Sequence, residues 1–559
     1  MDNYQIADSF SLLSKLMDIH GENSFKSKSY ASAAFAIEKL GVQLKDIAPE
    51  KIAELKGIGS SSAQKITELL QTGRLKSLEE IIFLTPPGII EMLNIKGIGP
   101  KKINTIWKEM EIETVGELLY ACKENRLKLY KGFGEKTQQN VIDTIEFYFK
   151  NKGSHLYAQV IVAAEQMESF LAKIFPGKRI AITGSFKQQT EIIDELEFII
   201  ETSEEDIEKN MKEVEGFTLK EKNNDCIVYD SGVGIKVKLY ASAAGSFIEK
   251  LITHSSSESF ITELKNNGND AFNNAATEES FFEKAGISFI PAYLREDPAL
   301  IARAKTGILP PVLQPTDIKG IIHSHSNWSD GSHTIEEMAI AARESGIEYL
   351  VISDHSKTAF YANGLSEDRI REQHLYIDEL NAKLAPFKIF KSIESDILND
   401  GSLDYSNEVL ATFDLVIASV HSNLKMTEEK AMMRLLNAIE NPYTTILGHM
   451  TGRLLLSRPG YPVDYKKIID ACAANHVTIE LNAHPSRLDI DWRQIHYALE
   501  KNVLISIDPD AHHIDGIKDT NYGVLVAQKA LVTKENNLSS FGLKEFEAFI
   551  DNRKKIKNI

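Results

Sequence analysis

The chain has 559 residues, 43% of them hydrophobic and 26% charged, too long for one core and too apolar for a disordered chain, so several packed domains are expected. Its formal charge of −17 argues against a nucleic-acid partner for the molecule as a whole, yet residues 1–150 hold 20 basic and 20 acidic side chains and leave the entire deficit to the remainder. No apolar run is long enough to span a membrane, the first residues lack a signal-peptide pattern, and Cys122, Cys226 and Cys472 are too scattered for disulfides or a thiolate metal site. A cytoplasmic protein with no membrane partner is therefore expected.

The N-terminal part contains an internal repeat: LKGIGSSSAQKI from 55, IKGIGPKKI from 95 and YKGFGEKTQQNVI from 130, each followed by a helical pattern. In each copy a Gly-apolar-Gly turn (Gly57 and Gly59, Gly97 and Gly99, Gly132 and Gly134) opens a helix whose first N–H groups and positive dipole end suit a phosphate oxygen. A glycine-capped helical hairpin with no ligand is the plainer reading of one copy, and three copies make it less apt. The repeat resembles the helix-hairpin-helix motif of DNA-repair proteins. That resemblance implies DNA binding through the turns, assisted by Lys101, Lys102 and Lys136.

From about 151 the pattern becomes β-rich, with RIAITGSF (179–186), LEFIIET (196–202), CIVYD (226–230) and GIKVKLYA (234–241) between helical stretches, which predicts an α+β domain. Residues 306–320 are rich in Pro and Gly without periodicity and read as an interdomain linker.

Beyond Gly320, apolar runs alternate with amphipathic helices, and nearly every run ends in His, Glu or Asp; 12 of the 15 histidines follow Pro315. In a parallel barrel the strand C-terminal ends converge on one rim, where ligands from distant segments build one site. His323 and His325 alternate on one side of an extended strand, with Asp330 in the following loop. His355, Glu394, His421, His449, Asp510 and His512 complete nine candidate metal ligands. All are hard or borderline donors, which suits Mn²⁺ or Zn²⁺, with Fe²⁺ as a further possibility.

These residues resemble the PHP (polymerase and histidinol phosphatase) family. The resemblance implies a distorted seven-stranded barrel with two to three divalent metals: His323, His325, Glu394 and Asp510 around the first, Glu394 bridging to a second held by His421 and His449, and Asp330, His355 and His512 around a third. Phosphoester hydrolysis is the implied chemistry, with Glu394, Asp510 and His421 the residues catalysis depends on. Asp396, two residues past the bridge, is expected to matter less than Glu394. Arg453 and Arg487 are open to two readings, a clamp on substrate phosphate or barrel-rim salt bridges. His333, His374, His476, His484, His496 and His513 match no ligand position.

Three hairpins, an α+β domain and a PHP barrel in this order resemble the bacterial X-family DNA polymerases over almost the whole chain. The resemblance implies a lyase-like helix-hairpin-helix domain over 1–75, a fingers-like one over 76–150, a palm over 151–242, a thumb-like domain over 243–305, a linker over 306–319 and the PHP domain over 320–559. The family's palm carries Gly-Ser-aromatic-Arg-Arg-Gly, then Gly-Asp-x-Asp, then an Asp on a neighbouring strand. Here Gly184, Ser185 and Phe186 match, but Lys187, Gln188 and Gln189 replace Arg-Arg-Gly, Glu195 and Glu197 replace the paired Asp, and Lys238 falls at the third carboxylate. Thr253, His254 and Ser255 stand where the family has Thr-Gly-Ser. An ammonium at 238 repels Mg²⁺, so an inactive polymerase site is expected; the alternative is a shifted third strand, with Asp225 and Asp230 nearby. Lys65, with Lys26 and Tyr30, aligns with the lyase amine of eukaryotic relatives, and contact with DNA phosphate is its other reading.

The expected function is DNA-binding, metal-dependent phosphoesterase action, as a 3′–5′ exonuclease or in 3′-end processing in base-excision repair, on gapped DNA or DNA with 3′ ends. The alternatives are an active gap-filling polymerase with a PHP exonuclease, a non-catalytic repair scaffold, and a small-molecule phosphatase, which would not need three hairpins. Oligomeric state is left open by the sequence.

Overall fold

The computed structural model of the protein describes all residues except 2, 39, 41, 96, 151–152, 224, 233, 269–274 and 308, and the backbone alone at 4, 147, 150, 267 and 268. The chain forms two compact units, Met1–Tyr148 and Phe149–Ile559. The expected domain start at 151 lies outside the described residues. Among those described, no helix is long and apolar enough to cross a membrane.

The first unit is helical. Helices Asn3–Ile19 and Ser24–Glu38 pack together, with Phe10 edge-on to Tyr30 at 5.8 Å between ring centroids. The three glycine turns lie beyond them, ahead of helices Ser60–Thr72, Pro100–Lys108 and Glu135–Lys150.

The second unit begins with a five-stranded sheet in the order Ile180–Thr183, Glu195–Ile200, Lys236–Ala241, Ile227–Ser231, Phe217–Lys222. Glu195–Ile200 runs parallel to Lys236–Ala241, and the other neighbours are antiparallel. The strand Phe217–Lys222 was not expected: its residues FTLKEK are mostly exposed at the sheet edge, where charged side chains guard unpaired backbone and mask strand periodicity. The segment GSF, expected within a strand, instead starts the short helix Gly184–Lys187. Gly184 has φ +63, the left-handed region that favours glycine, and a Cβ there would meet Glu197 Oε1 at 1.8 Å and displace that carboxylate.

Helices after the sheet form a second core around Phe260, Phe281, Phe282 and Leu294. This core reaches into the barrel domain through Leu531. Lys529, with a fully buried side chain, joins the pieces: its ammonium donates to Gln188 O at 2.8 Å and Glu296 Oε1 at 2.7 Å and lies 4.8 Å from the Trp492 ring centroid. Glu191 meets Arg493 at 3.5 Å beside this junction. Past residue 308, the expected linker packs as a strap against the barrel. Leu313 is fully buried in the barrel core, its N–H donates to Val532 O at 2.9 Å, and its carbonyl accepts from Gln528 Nε2.

The barrel is a seven-stranded parallel sheet in sequential order: Gly320–Ser324, Tyr349–Ile352, Lys388–Asp396, Leu415–Ser419, Thr444–Leu447, Thr478–Asn482 and Ile505–Asp508. A parallel bridge from Ser324 to Ala511 brings the first and last strands together, so the barrel is nearly closed. Strands buried on both faces read as continuous apolar runs, which is why the sequence marks them. The C-terminal helix Leu543–Lys557 covers the N-terminal rim: Phe546 stacks on Tyr349 at 4.4 Å, and Arg553 donates to Thr444 O, Pro442 O and His476 O. The opposite rim carries the strand ends and their polar residues.

Candidate metal centre and nucleic-acid elements

The three glycine turns share one hydrogen-bonding pattern. Gly57, Gly97 and Gly132 have φ +89, +100 and +92. In each the following apolar residue, Ile58, Ile98 or Phe133, is buried and its N–H donates to the carbonyl three residues back. Gly59, Gly99 and Gly134 then sit exposed at the start of the next helix, accepting from Ala63, Ile103 and Gln138. The apolar residue anchors the turn while both glycines leave backbone open to a ligand. Lys101 and Lys136 are exposed, whereas Lys102 folds back, its ammonium 3.2 Å from Gly97 O and 5.5 Å from the Phe133 ring. Lys65 donates to Ser77 Oγ at 2.6 Å and lies 5.8 Å from the ring of buried Tyr30; Lys26 is exposed.

In the five-stranded sheet, Glu197 pairs in register with Lys238, which fixes the alignment of the third strand. The Lys238 ammonium lies 3.1 Å from Glu195 and 3.7 Å from Glu197, and Tyr240 donates to Glu197 at 2.6 Å. Burial opposes the charge on Lys238, but the bonds from Tyr240 and Glu195 and the Glu197 charge override it and raise its pKa. Asp230 stands on the next strand opposite Lys236 and pairs with Lys220 at 2.7 Å. His254 stacks on Tyr240 at 3.9 Å; burial, then Lys250 and Lys238, lower its pKa to about 4. Ser185 lies on the short helix beside Lys187, whose ammonium is held 2.5 Å from Glu278, a carboxylate shared with fully buried Arg295. Gln188 meets Lys529 through its backbone.

All nine expected ligands converge on the C-terminal rim of the barrel, eight of them buried and His421 half-buried. Glu394, from the long strand Lys388–Asp396, is central. One oxygen lies 2.9 Å from His449 Nε2, 3.0 Å from His421 Nε2 and 3.3 Å from His323 Nε2; the other lies 3.0 Å from His355 Nδ1 and 3.6 Å from His325 Nε2. Asp510 stands 3.0 Å from His325 and 3.4 Å from His323, and Asp330 stands 3.3 Å from His512 and 3.5 Å from His355. The side chains group as His325 with Asp330, His355 and His512; His323 with His325 and Asp510; and His355 with Glu394 and His421. This partition differs from the expected one, because His325 and His355 each lie between two groups. The stack of His325 on His512 at 4.1 Å draws it toward Asp330.

The donor set tests whether cations fit. His323 Nε2, His325 Nδ1, His449 Nδ1 and Glu394 Oε2 are buried without a hydrogen-bond partner, a costly arrangement unless a cation takes their lone pairs. Nitrogen and carboxylate donors without thiolate fit Mn²⁺, Zn²⁺ or Fe²⁺. The electrostatics are those of crowded opposite charges. Burial would raise Asp330, Glu394 and Asp510, but the surrounding imidazoles hold all three well below the usual carboxylate range. Burial would lower His355, but Asp330 and Glu394 push it up to about 10. His325 and His449 are lowered to about 3, chiefly by burial.

Arg453 forms a rim salt bridge, 2.7 Å from Asp491, and donates to the carbonyls of Arg487 and Leu488. Arg487 is buried and points at Asp510 Oδ2, 3.7 Å away. Of the other histidines, His374 packs edge-on to Phe413, His496 pairs with exposed Glu500, and His513 accepts from Gly516 N–H.

Two further carboxylates stand behind the ligands, Asp396, which the sequence ranks below Glu394, and Glu480, which escaped the sequence reading. Asp396 accepts from His421 Nδ1, so it is tied to the centre although it does not bridge. Glu480 accepts from His323 Nδ1 at 2.5 Å. The alternation that places Glu394 on the inner face also places Asp396 and Glu480 there, but it does not separate a ligand from a residue behind one.

Residues 1–75 match the helix-hairpin-helix domain family, residues 89–146 a SAM-like helix-hairpin-helix tandem, and residues 322–484 the PHP domain. A DNA polymerase/3′-5′ exonuclease PolX of Bacillus subtilis is 30% identical over 96% of this chain and 96% of its own. A probable phosphatase of Acetivibrio thermocellus is 30% identical over 30% of this chain and 67% of its own, and one of Vibrio parahaemolyticus 26% identical over 39% and 89%. Both the order of its domains and its similarity along nearly the full length place the chain in the family of bacterial X-family DNA polymerases with a C-terminal PHP domain.

Proposed function

We propose that this protein binds DNA through its hairpins and hydrolyses DNA phosphoesters at the barrel rim, as a 3′–5′ exonuclease or 3′-end-processing enzyme in DNA repair, and that its palm does not polymerise. The observation that carries this reading is the contrast between two sites on one chain: eight candidate ligands gathered around Glu394, and a palm whose two acidic side chains close on a lysine. Two-metal nucleotidyl transfer needs carboxylates open to cations. Here Glu195 and Glu197 already neutralise Lys238, and the Lys187 ammonium, where the family resemblance implies an arginine that contacts the triphosphate, is held by Glu278.

At the rim, bound divalent cations, two to three in number and Mn²⁺ or Zn²⁺ in preference to Fe²⁺, supply Lewis acidity and a nucleophile at neutral pH. His323, His325, Glu394 and Asp510 hold one edge of the centre, His421 and His449 the second, and Asp330, His355 and His512 the third. Glu394, Asp510 and His421 are the residues on which catalysis depends. Arg487 carries positive charge toward the ligands and orients a substrate phosphate. DNA, gapped or with an accessible 3′ end, is the partner, held by the turns at Gly57, Gly97 and Gly132 with Lys101 and Lys136. Lys65, hydrogen-bonded to Ser77, serves as a phosphate contact rather than a lyase amine.

The name of the Bacillus relative favours a second reading, a working polymerase with an exonuclease. One assay separates the two: labelled gapped DNA incubated with Mn²⁺ and dNTPs. Shortened primers are expected. Template-dependent lengthening that persists in a His323→Ala/His325→Ala variant would establish the second reading, and unchanged primers would reject both.

A further inference from the structure

Six of the seven barrel strands deliver at least one of the nine ligands at or just past their C-terminal ends; among the described residues Thr478–Asn482 delivers none. Its polar side chains are nonetheless fully buried beside the centre. Glu480 Oε1 accepts from His323 Nδ1 at 2.5 Å, while Oε2 accepts from the His449 backbone N–H at 2.5 Å and from Asn482 Nδ2 at 3.3 Å. The same Asn482 amide donates to Asp510 Oδ2 at 3.1 Å. One carboxylate thus reaches two ligand-bearing segments directly and a third through its neighbour.

We propose that Glu480 is a positioning residue of the metal centre, setting the tautomer of His323 and the placement of His449 and, through Asn482, of Asp510. The inference rests on the reading that the nine-residue cluster binds divalent cations. A neutral imidazole has one N–H and one lone pair. With Nδ1–H held by Glu480, the lone pair of His323 is on Nε2, the buried atom that lacks a hydrogen-bond partner and faces Glu394 and Asp510. Glu480 belongs to none of the groups whose donor atoms lie close enough to share an ion, and its oxygens face the ligand-bearing segments instead. A carboxylate behind a ligating histidine fixes the ring and raises its basicity, and removing one typically costs 10- to 100-fold in metal affinity.

Glu480→Gln tests this with little change of volume. An amide offers one acceptor, so it can serve His323 Nδ1–H or His449 N–H but not both. Mn²⁺ titration of the full-length, metal-stripped protein, followed by electron paramagnetic resonance, should show dissociation about 10- to 100-fold weaker than wild type, with metal-free melting shifted by only a few degrees. Glu480→Asp, which keeps two acceptors on a shorter arm, should recover part of the affinity. In a His323→Ala background the substitution should have a clearly smaller effect, since the group it acts through is gone. Wild-type affinity in Glu480→Gln, or an undiminished effect without His323, would overturn the inference while leaving the metal centre intact. If Glu480→Gln does not fold, Glu480→Asp decides: affinity equal to wild type overturns the inference, and several-fold weakening supports it. A wild-type protein that binds neither Mn²⁺ nor Zn²⁺ would instead remove the reading on which it rests.

Discussion

Lys238 faces Glu197 across a parallel strand pair, and its ammonium sits between that carboxylate and Glu195 at 3.7 and 3.1 Å. A fixed monovalent charge takes the place where two divalent ions would need open oxygens. Primer extension by the full-length protein should therefore be undetectable in Mg²⁺ or Mn²⁺. Changing Glu195, Glu197 and Lys238 together to Asp should restore little synthesis, since Lys187 remains tied to Glu278 and Gln188 cannot replace an arginine. Robust extension by that triple variant would show that the lost phosphate clamp is dispensable.

The same ion pair has a cost when broken. Lys238→Met would leave Glu195 and Glu197 facing one another with no counter-charge, and urea unfolding of the second unit should shift by about 1–3 kcal/mol. An unchanged midpoint would mean that solvent already screens the pair.

His254 gives the protein a pH signature. Its folded pKa of about 4 lies below the ordinary 6.5, so the unfolded chain takes up the proton first as pH falls. The contribution to stability is complete above pH 6.5 and is lost progressively down to about pH 4. His254→Gln should flatten this window by about 1 kcal/mol, allowing for the partial exposure of the ring. Identical pH–stability curves for both proteins would place the histidine in water.

At the barrel rim, Glu394→Gln should lose bound metal and DNA hydrolysis together, because no neighbour can replace both of its oxygens. Asp396→Asn should keep the nine ligands but hold His421 Nδ1 by a neutral acceptor in place of a charged one, weakening metal binding by about 10-fold rather than abolishing it. Elemental analysis of both variants, with 3′–5′ degradation followed in Mn²⁺, gives the order; full metal content in Glu394→Gln would contradict the assignment.

DNA affinity should fall steeply with salt and vary little with sequence. Lys101→Ala with Lys136→Ala should reduce the log–log salt slope by about 2, whereas Lys102→Ala should change it by less because that ammonium is bound to Gly97 O. Equal slopes for all three proteins would move the contact surface elsewhere.

The sequence discloses residues whose type alone is unusual where they stand. Gly57, Gly97 and Gly132 occupy left-handed turns that a repeat exposes, and the nine ligands end apolar runs where a core residue would be ordinary. What it conceals is partnership. Glu480 reads like any polar residue of an alternating strand until His323, 157 positions earlier, is seen against it. Lys529 sits on a helix and reads as solvated, yet Glu296 and Gln188 O, from two other parts of the chain, bury it. The strap at Leu313 looks like a free linker because prolines break up the apolar residues that anchor it. Such features follow from long-range packing, which local periodicity does not encode.

The junction at Lys529 gives the palm a duty unconnected with nucleotides. Its turn at Gln188 and the carboxylate of Glu296 are the counterparts of a cation that the barrel itself provides. A barrel severed from these partners would return the Lys529 ammonium to water and give up both hydrogen bonds and the packed surface around them. The barrel is thus packed against the rest of its unit, and mutations that erode palm chemistry while sparing Gln188 and Glu296 leave that packing undisturbed.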